Sequence, residues 1–460
     1  MSGGSLYIAL SGLEAQQSAL QVVSENVSNA NTPGYLAETA NLANLQVAGS
    51  PIGSGVTVSG IVQSSSTFAR QMELQASASN SYASQLQSLL SSAQNFFMEP
   101  SSSGISEQMS TMWNSFASVA NDPTQMGPRM QLVANATDVA NAVNQAATGL
   151  TDLFSQTASA VGTQLQTVNQ QLSDVAKLNQ QISGQSGSNG GANSLIDQRN
   201  QLLDKLTSEI GITVSPAAAG QVNVLSGGIA LVQGSQAQQL TFTAGSGSPP
   251  STPNTASVSL VSSGAVLPVT SGEVGAELTA LNSNLPTYGG YLNQLATTLA
   301  NQVNQQLAAG QSTTSSGTGS QAGIPLFVGA SGAPINASNL EVNSQIAANP
   351  MLIAASGIPY AAADGTNAQT IANLQTQPTG PNALWSQIAG SVGVDVANAQ
   401  TLATSANSVY QQAYGQEQAI SGVNVNSQLV NMVNYQNAYQ AAAKIIGTIS
   451  QTLQSLIQSV

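Results

Sequence analysis

The two ends of this 460-residue chain constrain its fold more than anything between them. From Val425 onward, apolar or small residues recur at Leu429, Met432, Tyr439, Ala443, Ile446, Ile449, Leu453, Leu456 and Val460, in steps of three and four broken only at Gln436. This is the narrow seam of a coiled coil, not the broad stripe of a globular surface helix. Residues 6–27 repeat it with Leu6, Ala9, Leu13, Gln16, Leu20, Val23 and Val27. A seam this narrow needs a partner helix, and two such seams imply that the chain leaves one place and returns to it. Neither end carries much apolar surface against the entropy of ordering it. Both ends are therefore expected to be disordered in a free monomer and to fold when copies stack.

The predicted fold class is mainly α with an inserted β domain. The terminal helices form a coiled-coil arm, long helices form a bundle in the middle, and a small all-β unit forms the tip. The expected division is 1–45 with 421–460 as the arm, 46–211 with 273–420 as the bundle, and 212–272 as the insert. The first helix should stop in the Asn-rich stretch holding Asn26, Asn29 and Asn31, with a type II turn at Pro33-Gly34. Residues 36–67 look like a linker of limited structure, with a small strand-like alternation at Gly55–Ser59. Helices follow with apolar stripes at Tyr82 to Phe97 and at Met109, Met112, Trp113, Phe116 and Val119. A Met and aromatic stripe at helical spacing reads as core rather than as a ligand pocket. A far longer helix spans Pro128 to Gly184, despite Gly149 and Gly162, which each cost about 1 kcal/mol relative to Ala. At Ile212 the period changes to two, and Val222–Leu225 with Ile229–Val232 read as a hairpin across Gly227-Gly228. Helical spacing resumes at Glu273, with Pro286 expected to kink or split it. Residues 310–367 look irregular, apart from a helical turn near Ser344–Ala355.

Composition removes most chemistry. There is no histidine and no cysteine, so there is no imidazole base, thiol nucleophile or disulfide. Six basic residues against nineteen acidic ones, a net charge of −13, argue against nucleic acid or an anionic membrane as partner. No apolar run approaches the ~20 residues of a membrane span. With no Lys or Arg before Arg70, a cleavable secretory signal is not expected. Lys177, Lys205 and Lys444 lie in helical patterns, and Arg199 should pair with a carboxylate one turn away. Asp197 with Asp204, and Glu273 with Glu277, fall at ordinary helix-face spacing. No catalytic, cofactor-binding or metal residues are expected, and enzyme activity is not. Without histidine, assembly should vary little between pH ~5.5 and 8.

Leu6 to Leu20, followed by Asn26 and by Asn29, Asn31, Thr32, Pro33, Gly34 and Tyr35, resembles the N-terminal motif of bacterial flagellar rod, hook and hook-associated proteins. Ser421 to Val425, with Tyr435, Gln436, Tyr439, Gln440 and Lys444, resembles the matching C-terminal motif. Stretches at Trp113–Pro123, Leu195–Leu203, Ser271–Glu277 and Leu340–Ala355 are similar to the hook-associated members that join hook to filament. Asn426, Ser427 and Gln428 stand where that family usually has acidic residues. The resemblance implies a structural, self-assembling subunit of the extracellular flagellum, exported unfolded without signal cleavage. It also implies a ring of copies bounded by hook protein below and hook-associated protein 3 above, with flagellin beyond and an export chaperone at the C-terminal region. Another axial protein (hook or distal rod), a secreted coiled-coil effector or translocator, and a hydrolase carried on the β insert are the alternatives. The expected assembly residues are Leu6, Leu13, Leu20, Val27, Leu429, Met432, Tyr439, Ile446, Leu453 and Leu456.

Overall fold

The first helix, α1 (Ser2–Ser28), stops in the Asn-rich stretch as expected. In this computed structural model, residues 2–32, 34–46, 53–97, 99, 101, 103–185, 190–245, 254–313 and 320–458 are described. Pro33 lies outside them. Gly34 has φ +78°, and the Tyr35 N–H donates to the Thr32 carbonyl at 3.2 Å, the bond that closes a four-residue turn.

Residues 36–67 are not an unstructured linker. β1 (Glu38–Asn44) and β2 (Val56–Gln63) form an antiparallel ribbon, paired from Glu38↔Gln63 to Asn44↔Val56 with a bulge at Asn41/Leu42. The ribbon lacks a clean apolar alternation because it lies on a helix whose facing residues are small. Ala19 and Val22 of α1 pack with Ala40, Val58 and Ile61. At the loop end of the ribbon the Val56 N–H donates to Ser11 Oγ at 3.2 Å. There Gly55, at φ +121°, comes so close that a Cβ would stand 2.2 Å from that oxygen.

The body is built on α2 (Thr67–Asn95), α3 (Ile105–Asn121), α4 (Met126–Gly184) and α5 (Asn193–Ile210). At 59 residues, α4 is roughly 88 Å long. It persists because one face is buried along its length, from Leu132 and Val139 through Leu150 and Leu165 to Val175 and Ile182. Gly149 sits in that face because the Phe96 ring lies on it, where a Cβ would fall 2.3 Å from a ring carbon. The Met and aromatic stripe of α3 is core: Met109, Met112, Trp113, Phe116 and Val119 are all buried. The indoles of the body keep polar partners, Trp113 Nε1 donating to Asn382 and Trp385 Nε1 to Glu99, both at 2.8 Å.

The β insert shares this core. β3 (Thr213–Pro216), β4 (Val222–Ser226), β5 (Ile229–Gln233) and β6 (Gln236–Ala237) form one antiparallel sheet in sequence order. β7 (Leu240–Thr243), β8 (Ser257–Leu260) and β9 (Val266–Leu267) form another. Two α4 amides clamp them to the helix. Asn169 exchanges both bonds with the Leu240 backbone (2.8 and 2.7 Å), and Asn179 Nδ2 donates to the Val222 and Gly234 carbonyls (2.7 Å each).

Pro286 neither kinks nor splits the next helix in the simple sense. α6 (Gly272–Thr279) runs through a π turn at Ala280–Asn284 into α7 (Leu285–Ala309), so the missing N–H falls at a widened turn. The Leu281 carbonyl there accepts from Asn254 Nδ2 at 3.3 Å. The stretch expected to be irregular holds two short hairpins, β10 (Gln311–Thr313) with β11 (Ser320–Ala322) and β12 (Phe327–Gly329) with β13 (Leu340–Val342), and two short helices, α8 (Ser344–Ala348) and α9 (Thr366–Ala372). Arg129 organises it: Nε donates to the Pro123 carbonyl (2.9 Å), and Nη1 to those of Pro350 (3.2 Å) and Ile353 (2.7 Å). Arg199 likewise departs from the expected ion pair. It is buried and donates to Asn179 Oδ1 (3.2 Å) and the Gly220 carbonyl (2.8 Å). Burial away from carboxylates pushes both guanidiniums down to about 10. α10 (Pro381–Ser421) then packs along α2 and leads into α11 (Val425–Gln458).

Candidate assembly interface

Within one chain, where the free ends are expected to be disordered, α1 and α11 have a folded form and pack against each other along their length, bringing the two chain ends together as the seams require. The pair is antiparallel: Asn26, near the end of α1, meets Gln428, near the start of α11, and Tyr435 packs toward Ala19 and Val22. The half-buried positions of α11 are Gln428, Met432, Tyr435, Ala438, Tyr439, Ala442, Ile446, Ile449 and Leu453; apart from Ala438, which flanks Tyr439, they alternate in steps of four and three. The seam is thus continuous where the sequence suggested a break. Tyr435, not Gln436, occupies the inward position, and a polar Gln428 opens the repeat.

Of the expected assembly residues, Leu13, Leu20, Val27, Met432, Tyr439, Ile446 and Leu453 are half-buried on these two helices. Leu6 and Leu429 lie on exposed faces, and the Leu456 side chain lies outside the described residues. Among the motif residues, Gly34, Tyr35, Asn29 and Tyr435 are half-buried, while Asn31, Thr32, Gln436 and Gln440 are exposed. Asn29 Nδ2 donates to the Glu25 carbonyl at 3.1 Å, and its Oδ1 accepts from Thr32 Oγ1 at 3.2 Å, closing the end of α1.

The residue that ties the arm together is Asn26, read from the sequence as a helix-end residue within the N-terminal motif. It is fully buried and uses both ends of its amide. Nδ2 donates to the Glu38 carbonyl (2.7 Å) and to Gln428 Oε1 (3.2 Å); Oδ1 accepts from Tyr35 Oη (3.0 Å) and the Glu38 N–H (2.8 Å). One side chain thereby joins α1, the turn, β1 and α11. A second tie, Ala37 N–H to the Ser421 carbonyl at 2.8 Å, pins the ribbon to the break between α10 and α11. The Gln428 contact is neutral, an amide-to-amide hydrogen bond.

Carboxyl groups cluster where the arm meets the body. Burial and the neighbouring Glu38 push Asp197 up to about 6, and burial raises Glu38 as well. Burial followed by Glu38 and Glu25 pushes the Tyr35 phenol far up. In a second cluster Arg70 pairs with Glu73 and Asp204; burial outweighs Arg70 and carries Glu73 to about 7. Buried carboxyls, not histidines, are thus the groups raised toward the window of pH ~5.5 to 8 over which assembly is expected to vary little. Among the described residues no group of three acidic side chains could hold a metal ion.

Fold and site together define a class: a subunit whose two chain ends make one helical arm carried on a helical body with inserted sheets. The chain belongs to the family of the flagellar hook-associated protein FlgK, whose helical domain matches residues 90–327, just over half of it. The arm segments match separately, residues 6–35 to the flagella basal body rod protein family and 417–459 to the C-terminal region of flagellar basal body rod FlgEFG proteins. The chain is 31% identical to flagellar hook-associated protein 1 of Salmonella typhimurium over 66% of its own length and 56% of that protein's. It is 24% identical to the protein of that name from Bacillus subtilis, over 98% of this chain and 97% of the relative. The chain thus spans only about half the length of the enterobacterial relative. The flagellar hook junction protein FlgK of Burkholderia pseudomallei shares the fold, with a TM-score of 0.65 at 16% identity, covering 76% of this chain and all of that one.

Proposed function

We propose that this protein is a structural subunit of the bacterial flagellum, placed at the junction that joins hook to filament. The observation that carries the reading is the unfinished arm. No described side chain of α11 is fully buried, and Leu429, Val430, Val433 and Ile445 are exposed along it, as are Leu6, Tyr7, Ile8 and Leu10 on α1. Helices that pair with each other and still present apolar faces outward are completed by neighbouring copies. In this reading the arms of adjacent copies form the ring, with Leu6, Leu13, Leu20, Val27, Leu429, Met432, Tyr439, Ile446, Leu453 and Leu456 in the packed layer. Hook protein lies on one side and hook-associated protein 3 on the other, with flagellin beyond. The arm is threaded unfolded through the export channel without signal cleavage, and an export chaperone holds the C-terminal region beforehand. The division is an arm of the chain ends, a bundle and the insert at 212–272; because β2 pairs with β1, we extend the arm's first segment to Gln63.

The test is complementation of a strain lacking its own junction protein. Removal of residues 425–458 should leave cells with short or no filaments and no incorporated subunit. Full-length filaments containing the truncated protein would overturn the reading. A secreted effector shares heptads with this chain but not the paired terminal motifs matched at 6–35 and 417–459.

A further inference from the structure

The ribbon meets the body across a bridge of amides and carboxylates. Every hydrogen bond described between the ribbon and α5 involves Gln63 or Asn193. Gln63 Nε2 donates to Asp197 Oδ1 at 2.8 Å and to the Asn193 carbonyl at 3.3 Å, and Asn193 Nδ2 donates to the Ile61 carbonyl at 3.2 Å. Glu38, opposite Gln63 in the ribbon, draws on the same two amides. Beside the bridge lies a cleft of about 730 Å³ between Ile61 and Val62 of the ribbon and Leu74, Leu203 and Val214 of the body. The arm therefore has room to move about its hydrogen-bonded contact.

The donors fall short. Two primary amides offer four N–H groups, against two backbone carbonyls and, when both acids are ionised, four carboxylate oxygens. Among the described residues no cation faces the bridge to make up the difference. The groups that face Asp197 and Glu38 are Glu25 of α1, Tyr35 of the turn and each other. Arg70 of α2 is engaged with Glu73 and Asp204, and Glu417 of α10 faces that second cluster.

We propose that the bridge is a proton-operated latch: a proton held between Glu38 and Asp197 fixes the arm at one angle on the body, and ionisation of both carboxyls frees it to swing. A carboxyl O–H supplies the missing donor and removes the repulsion between like charges across the joint. The direction follows from linkage. In the closed joint Asp197 holds its proton up to about 6, against 3.8 when free. The closed form therefore binds the proton more tightly and is favoured as pH falls. Between pH 8 and pH 5 the ratio of closed to open joints should grow about tenfold. This inference does not rest on the junction reading, since it concerns the joint within one molecule.

The chain has no cysteine, so labels can be placed at will. Gln17→Cys on α1 and Gln166→Cys on α4, both exposed, would carry spin labels for double electron–electron resonance on the full-length monomer. The expected result is a narrow arm-to-body distance distribution at pH 5 that broadens at pH 8. Asp197→Asn, which presents a permanent donor, should stay narrow at both, and Glu38→Gln should do the same. Identical distributions at the two pH values in the unmodified joint, whether narrow or broad, would overturn the proposal. So would an unchanged pH response in both variants.

Discussion

Replacing Asn26 with Ala should loosen the arm while leaving the body intact. Asn26→Ala removes four hydrogen bonds from a fully buried site. Tyr35 and Gln428 are only half-buried and can turn to water. The Glu38 N–H and carbonyl, which point at the vacated site, cannot do so without opening the ribbon. Two stranded backbone groups at about 1–3 kcal/mol each put the cost near 2–6 kcal/mol. Hydrogen exchange read by mass spectrometry checks this, because local opening is measured segment by segment. Peptides from 2–28, 38–63 and 425–458 should exchange roughly 30-fold faster or more, at a factor of ten per ~1.4 kcal/mol. Peptides from α4 should not change. Tyr35→Phe removes a single bond and should cost only about 1 kcal/mol. Arm peptides that exchange alike in Asn26→Ala and the parent, or α4 peptides loosened equally, would refute the role assigned to this residue.

Three further outcomes follow from the same geometry. Met432→Ser, on the face toward α1, should raise exchange in both α1 and α11; Leu429→Ser, on the outer face, should leave exchange unchanged and lower incorporation into flagella. Glu277 is buried, with Gln85 Nε2 on one oxygen at 2.9 Å, and burial carries it to about 7 from 4.5. An acid raised on folding stabilises when protonated, so its contribution is present at low pH and lost as pH rises through about 7. Glu277→Gln should therefore flatten the fall in melting temperature between about pH 4.5 and 8, recovering at most about 3 kcal/mol at the alkaline end. Arg129→Met strands three carbonyls that the guanidinium now binds, and thermal unfolding should show a loss of about 3 kcal/mol or more.

What the sequence carried was periodicity. A seven-residue repeat at each end is enough to say that the ends pair, because a two-per-heptad seam has no other way to leave water. The change of period at Ile212 marked the insert, and the aromatic stripe of α3 marked core, since burial along one helix face leaves its spacing in the chain. The register of the pairing was less legible. Gln436 looked like a defect because Tyr435 and Gln428 are polar or amphipathic at inward positions, and only the facing surface of α1 shows which positions turn in. The ribbon at 38–63 was only partly legible, through the alternation at Gly55–Ser59 on β2, and for a related reason: it is held by the small residues of α1 beneath it more than by a pattern of its own.

The sequence alone marked the long helices, the return of the chain to its starting point, and the lack of histidine or cysteine chemistry. Only the tertiary structure decided that Asn26 binds four elements together and that burial raises the carboxyls of Glu38, Asp197, Glu73 and Glu277. Those properties belong to burial and to partners distant in the chain, and neither is written in the identity of a residue or its neighbours.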